Sequence, residues 1–189
     1  MHKALVVRPA PAENCRHDMF YGAWAEMSRL DSFIRRLQAQ RACLDASVAM
    51  IDGLPGPILE LGLGNGRTFD HLRCLYPERD IFVFERQPAP HALSCPDQRH
   101  LIVGDIRDTL PKATGWLPGL AALIHNDIGT GDALANAELA AWLSGVLPTL
   151  ARPQGVVLSD QPLASRLLVR GALPADLPAD RYFLYRRLG

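Results

Sequence analysis

The residues best placed to do chemistry are one carboxylate and three glycines, Glu60, Gly62, Gly64 and Gly66, in the run Ile-Leu-Glu-Leu-Gly-Leu-Gly-Asn-Gly over 58–66. An apolar run that breaks into alternate glycines reads as a buried parallel strand turning tightly into a helix. Glycines there remove the Cβ atoms that hold a ligand off the main chain. In open α/β sheets, ligands settle beyond the strand ends, against a helix N-terminus. The first chemistry implied is therefore the binding of a cofactor. Its spacing narrows the choice: a dinucleotide fingerprint needs a third glycine where Arg67 stands, which opposes a nicotinamide-dependent oxidoreductase. A P-loop needs a lysine followed by Ser or Thr, and no lysine is near.

Two further acids follow at βα spacing. Ile81-Phe-Val-Phe-Glu85 ends in a carboxylate about twenty residues after the glycine turn. An ionised acceptor at a strand end can take hydrogen bonds from both hydroxyls of a ribose, so Glu85 is the ribose candidate. Leu101-Ile-Val-Gly-Asp-Ile106 repeats the pattern of strand, glycine and acid. Together, Glu-x-Gly-x-Gly-x-Gly, Glu85 and Gly104-Asp105 resemble the cofactor motifs of the class I S-adenosylmethionine-dependent methyltransferases, a Rossmann-like superfamily. The resemblance covers roughly residues 56–160. It implies S-adenosyl-L-methionine as cofactor, with Glu60 near its amino group. The turn Gly62, Gly64, Asn65, Gly66, Arg67 and Thr68 would face its methionine and ribose portions. It also implies that Asp105 accepts from the adenine amine and that the Ile106 N–H donates to a ring nitrogen. One departure is Arg86, where the family often packs an apolar side chain on the base; a guanidinium can stack there instead.

In this family the loop after the fourth strand lies beside the methyl donor, and here it reads His125-Asn-Asp-Ile-Gly129. Methyl transfer needs alignment of the nucleophile and, for a hydroxyl or amine, removal of a proton. Asp127 and His125 are the catalytic candidates, and Asn126 and Asp127 also join the cofactor set. Strand alternation points neighbours apart, so these residues cannot all face the methyl group. The loop lacks the Asn/Asp-Pro-Pro-aromatic motif of enzymes that methylate amino groups of nucleic acids and protein amides. A metal-assisted O-methyltransferase would use Asp127 with Asp160 and Gln161, an oxygen set that suits magnesium. Gln161 and the constraint of Pro162 oppose it, and no metal is assigned.

The elements that must carry these residues alternate strand and helix from residue 58 onward. The fold class is α/β: a doubly wound, mostly parallel sheet with an antiparallel last strand, preceded by a long N-terminal helix. Strands are expected at 58–62, 81–85, 100–104, 120–124, 155–159 and 181–187, with helices at about 66–76, 108–114 and 132–150. The sixth strand of the family pattern is lost or very short. Gly53-Leu-Pro-Gly-Pro57 separates a helical extension (1–55) from the cofactor-binding domain (56–189). In the extension, Met27, Leu30, Ile34, Leu37, Leu44, Val48 and Ile51 recur at helical steps, with Arg41 interrupting the stripe. This stripe either packs on the sheet or joins subunits, as a lid or homo-oligomer interface. Ahead of it, Tyr21 and Trp24 are candidates for the substrate pocket, and Arg29 for a carboxylate of cofactor or substrate.

Composition sets the remaining bounds. The chain has 189 residues, is 48% apolar and carries a formal net charge of zero, which disfavours a nucleic-acid substrate and favours a small molecule. Cys15, Cys43, Cys74 and Cys95 have no C-x-x-C spacing and suit free thiols in a reducing compartment. No secretory signal or bilayer-spanning run is evident, so the expected place is the cytoplasm, without membrane partners. A non-catalytic S-adenosylmethionine-binding module would share the same cofactor residues.

Overall fold

The computed structural model describes residues 28–175, 177 and 181–189. Helix α1 (Arg29–Met50) leads into strand β1 (Ile58–Leu61), helix α2 (Arg67–Leu75) and strand β2 (Ile81–Glu85). Strand β3 (Leu101–Val103), helix α3 (Ile106–Ala113), strand β4 (Ala121–Asn126) and helix α4 (Ala133–Leu150) follow. The chain closes with β5 (Ala151–Ser159), β6 (Leu168–Arg170) and β7 (Phe183–Arg187). They form one seven-stranded sheet in the order β3-β2-β1-β4-β5-β7-β6. The first five strands pair parallel, while β7 runs antiparallel between β5 and β6. The doubly wound sheet expected from the sequence is present, including the antiparallel strand beside the fifth. The sixth strand is three residues long at the sheet edge, too short for a periodic signal.

Local chemistry explains the helix starts. Ser28 accepts from the Asp31 N–H, Asp105 from the Arg107 N–H, and Asp132 from the Leu134 and Ala135 N–H groups. Helix α2 begins differently, on Gly66 with φ +84°, a backbone state that glycine alone reaches without strain. Strand β5 starts four residues earlier than the sequence suggests, because Ala151 pairs with Ala121 before the register shifts.

Strand alternation divides the interior. Leu59, Leu61 and Ile124 face α3 and α4 in one apolar cluster. Ile58 and Leu123 face the other way, with Ala39, Cys43 and Leu44 of α1 and Phe69 and Leu72 of α2. Helix α1 thus belongs to the same core as the sheet through its second half. Burial pushes the Cys43 thiol up to about 11, so it is an inert packing group. The helical stripe splits in two: Leu44 and Ile51 are buried, whereas Leu30, Ile34 and Val48 remain exposed. Among the described residues, no helix is long and apolar enough to cross a membrane.

Candidate active site

Most of the candidate residues lie at or near the carboxyl ends of β1, β2, β3 and β4. There a cleft of about 420 Å³ opens. Its near wall is the glycine turn, Gly62 and Gly64, which hold φ values of +89° and +50°. A Cβ on Gly62 would lie 2.6 Å from Ile128 Cγ2 and 2.9 Å from the Asp127 carbonyl, whereas one on Gly64 would meet nothing within 4 Å. Gly62 therefore permits the β1 and β4 ends to close together, and Gly64 leaves bare backbone beside open space.

Glu85, at the last position of β2, anchors the centre of the cleft. Its carboxylate accepts from the Leu63 N–H at 2.8 Å, the Gly64 N–H at 3.2 Å and the Gln87 N–H at 2.9 Å. Partial burial pulls its pKa up, but backbone N–H groups from Gln87, Gly64, Leu63 and Arg86 outweigh it and hold the acid below its ordinary value. Arg86, Gly104, Asp105, Ile106 and Arg107 continue the wall. Asp105 caps α3 through its Oδ1, which accepts from the Arg107 N–H at 2.9 Å. The Ile106 N–H is in the first turn of α3, where no intrahelical acceptor exists. Arg107 lies over the Trp142 ring, 5.2 Å from its centre.

The far wall comes from the β4–α4 loop and α4: Asp127, Ile128, Gly129, Thr130, Glu138 and Leu139. This loop is pinned. Thr130 N–H donates to Asn136 Oδ1 at 2.7 Å, and Asn136 Nδ2 donates back to the Thr130 carbonyl at 2.7 Å. Gly129 N–H donates to Asp160 Oδ2 at 2.9 Å. Burial, then the nearby charge of Asp127, pushes the Asp160 carboxyl up to about 6. At the mouth, Asp127 Oδ1 pairs with Arg36 at 2.7 Å and Oδ2 accepts from Gln40 at 2.7 Å. Both partners come from α1. That helix is therefore tied to the β4–α4 loop through Asp127, which lines the cleft.

Beneath the cleft lies a buried polar chain. Glu60 and His125 are both fully buried, with Oε2 and Nδ1 2.5 Å apart, and His125 Nε2 is 2.5 Å from the Tyr182 hydroxyl. Thr68 donates to the other Glu60 oxygen. Burial pulls the His125 pKa down, but the charge and hydrogen bond of Glu60 outweigh it and the net shift is upward. Glu60 and His125 share the sheet face that carries Ile58 and Leu123, so alternation turns them away from the cleft.

The remaining expected site residues fall in several places. His125 belongs to β4, not to the loop, and its buried ring has no open side from which to take a substrate proton. Glu60 is enclosed by Thr68 and His125. Asn126 is also buried, donating to Ser159 Oγ at 2.9 Å. Asn65, Gly66, Arg67 and Thr68 do not line the cleft; Arg67 and Thr68 border a separate groove against α1. Arg29 is exposed at the start of α1 and away from the cleft lining. Tyr21 and Trp24 lie outside the described residues. The oxygens of Asp127 are already held by Arg36 and Gln40, and the described residues contain no group of three His, Cys, Asp or Glu side chains able to hold a metal. Phe84, Ile128, Glu138 and Leu139 were not anticipated, nor were Arg36 and Gln40.

A second hollow of about 420 Å³ sits at the amino ends of β2 and β3. Its polar groups are committed to one another: Arg79 donates to the Gly56 and Ile51 carbonyls, and His100 lies between Asp80 and Asp97. The strand-end cleft is the candidate site.

Comparison with known proteins decides its ligand. A family model described as S-adenosyl-L-methionine methyltransferase matches residues 27–187. The chain belongs to that family. A crystal structure of an S-adenosyl-L-methionine methyl transferase from Silicibacter pomeroyi DSS-3 is 41% identical, covering 86% of this chain and 99% of that one, with a TM-score of 0.83. Two more distant structures share the fold at a TM-score of 0.51. One is human methyltransferase-like protein 13 in complex with S-adenosylhomocysteine, 16% identical with 82% of each chain covered. The other is S-adenosylhomocysteine-bound methyltransferase PaMTH1 from Podospora anserina, 17% identical, covering 86% of this chain and 80% of that one. Among curated proteins none matches. This methyltransferase uses S-adenosyl-L-methionine, and its cleft fits that group. An ionised carboxylate at a strand end, bare glycine backbone and a paired Arg–Asp mouth are the donors and acceptors that a ribose and an amino-acid tail require.

Proposed function

We propose that this methyltransferase acts on an oxygen or nitrogen atom of a small molecule, with Glu85 as the ribose ligand. The observation that carries this reading is the Glu85 carboxylate, held ionised at the end of β2 by the backbone of the glycine turn. Asp105 and the Ile106 N–H take the adenine, Arg86 covers it, and Gly62 and Gly64 give the cofactor's chain access to the backbone. Arg36 engages the carboxylate of its methionine end. S-adenosylmethionine supplies an electrophilic methyl group on a sulfonium. The chain's own residues bind, align and exclude water. Asp127 stands at the transfer end, where its carboxylate can orient an acceptor hydroxyl or amine and hold the departing proton. Tyr21 and Trp24 are assigned to the acceptor side.

A zero net charge and a cleft of about 420 Å³ support a small acceptor over a polyanion. The free thiols Cys43, Cys74 and Cys95 fit a reducing compartment, so we assign the cytoplasm. The test is a thermal-shift titration with S-adenosylhomocysteine, which raises the melting temperature if it binds the native state. Glu85→Ala abolishes most of that shift. Methyl transfer from labelled S-adenosylmethionine is then compared on a metabolite panel and on RNA. Transfer to RNA alone overturns the acceptor assignment.

A further inference from the structure

Between α1 and α2 runs a groove of about 220 Å³. Its apolar lining is Leu44, 1% exposed, and the half-buried Leu37. Arg41 from α1 and Arg67 from α2 also line it, and both are exposed. Among the described residues neither guanidinium has a hydrogen-bond or ion-pair partner. The acids close to them in the fold are spent elsewhere. One turn further along both helices, Asp45 pairs with His71 at 2.7 Å, and Asp70 pairs with Arg73 at 2.6 Å. Glu60 is bonded to Thr68 and His125. Two like charges from different helices therefore share one groove without a counter-charge. A hollow lined by one sign of charge over apolar walls focuses its field and draws in an ion of the opposite sign.

Gln40 joins this groove to the cleft. It lines the groove, is 3% exposed, and donates to Asp127 Oδ2 at 2.7 Å, and Asp127 lines the cleft. The glycine turn borders both hollows: Gly62 and Gly64 line the cleft, while Arg67 and Thr68, directly after the turn, line the groove. At about 220 Å³ the groove falls below the ~300–1,000 Å³ of a whole ligand pocket, which suits one end of a molecule rather than all of it. We propose that the groove seats the acidic end of the methyl acceptor. A carboxylate or phosphate lies between Arg41 and Arg67, whose forked N–H donors match either oxyanion, and an apolar body rests on Leu37 and Leu44. The reacting atom of the same molecule reaches past Gln40 to Asp127. That acceptor role rests on the proposed function; the binding of the anion does not. Nucleic acid is the weaker occupant, because a phosphate backbone calls for a row of cations on polar surface, whereas here two cations flank apolar side chains.

The test titrates the full chain, saturated with S-adenosylhomocysteine, with benzoate, phenyl phosphate, benzyl alcohol and inorganic phosphate, followed by NMR of the ligand. We expect benzoate or phenyl phosphate to bind, and the tighter of the two names the anion. Arg41→Gln and Arg67→Gln each weaken that binding about tenfold, the loss expected for a charged hydrogen bond. Both side chains are exposed and make no bond within the described residues, so the fold stays intact, which circular dichroism verifies. Failure of both acids to bind overturns the proposal, as does affinity indifferent to both substitutions. Benzyl alcohol or inorganic phosphate binding as tightly as the acids overturns it as well, since the charge or the apolar lining would then have no role. An acid that binds only without S-adenosylhomocysteine occupies the cofactor's own carboxylate position, and a short RNA oligomer that binds more tightly than either acid assigns the arginines to nucleic acid; each overturns it. On an acidic acceptor from the metabolite panel, Arg41→Gln raises KM more than it lowers the turnover number. A panel on which only non-acidic acceptors react overturns the acceptor role. S-adenosylhomocysteine affinity, measured on each variant, keeps failure of the groove separate from failure of the cofactor assignment.

Discussion

Replacing His125 with leucine tests the buried chain beneath the cleft. Glu60 and His125 are both fully buried, and the imidazole is the only cationic partner bonded to that carboxylate among the described residues. Removing one member of a buried pair leaves an uncompensated charge and costs about 3–5 kcal/mol. In a protein of this size about 1 kcal/mol moves the melting temperature by roughly 2–4 °C, so a fall of about 6–20 °C is expected. Urea unfolding at several pH values gives the second readout. His125 has a native pKa above its ordinary 6.5. Its contribution to stability is therefore complete below about 6.5 and is lost as pH rises through the higher native value. His125→Leu removes that alkaline-side decline. Replacing the whole set apolar, as Glu60→Leu with His125→Leu and Tyr182→Phe, recovers much of the loss, because no group is left unpaired. A cost below about 1 kcal/mol for the single variant, or an unchanged decline with pH, refutes the reasoning.

Other expected outcomes follow from the cleft itself. Glu85→Gln keeps the shape but removes the charge, and a loss of about 10- to 100-fold in S-adenosylhomocysteine affinity by calorimetry is expected for charged hydrogen bonds worth roughly 1.5–3 kcal/mol. Gly62→Ala forces a Cβ to 2.6 Å from Ile128 in a left-handed backbone, so both melting temperature and cofactor affinity fall. Asp160 is an acid raised from 3.8 to about 6, so its stabilising effect is present below 3.8 and lost as pH climbs through about 6. Asp160→Asn is therefore stabilising at about pH 7, by at most about 3 kcal/mol, and gives no gain at about pH 3 in thermal melts. Asp127→Asn cuts the turnover number more than it weakens S-adenosylhomocysteine binding; equal losses in both assign Asp127 to binding alone.

The sheet was legible because its strands are apolar runs that break at a glycine or a polar residue: the expected 58–62, 81–85 and 120–124 each fall within two residues of the observed limits. Glu85 and Asp105 were readable for the same reason, since a strand end fixes where its last side chain goes. What could not be read is which way a residue faces when charge and burial disagree. His125 and Glu60 are polar at positions that alternation sends into the core, and their mutual neutralisation is a tertiary fact. Arg35 and Arg36 are adjacent on one helix, and nothing local says that Arg36 is the one that meets Asp127. Glu138 and Leu139 line the cleft from a helix whose pattern is apolar nearly all round, so periodicity marks no facing side.

Gln40 touches two systems at once: its amide nitrogen donates to Asp127 and lies 3.4 Å from the His125 ring. The opening helix is consequently no detachable ornament. A fragment starting at Pro57 would keep every glycine and acid of the nucleoside end, yet water would reach the imidazole and Tyr182 from above, and Asp127 would lose both of its ties. Such a shortened protein is expected to melt early and to grip adenosine better than the amino-acid tail attached to it.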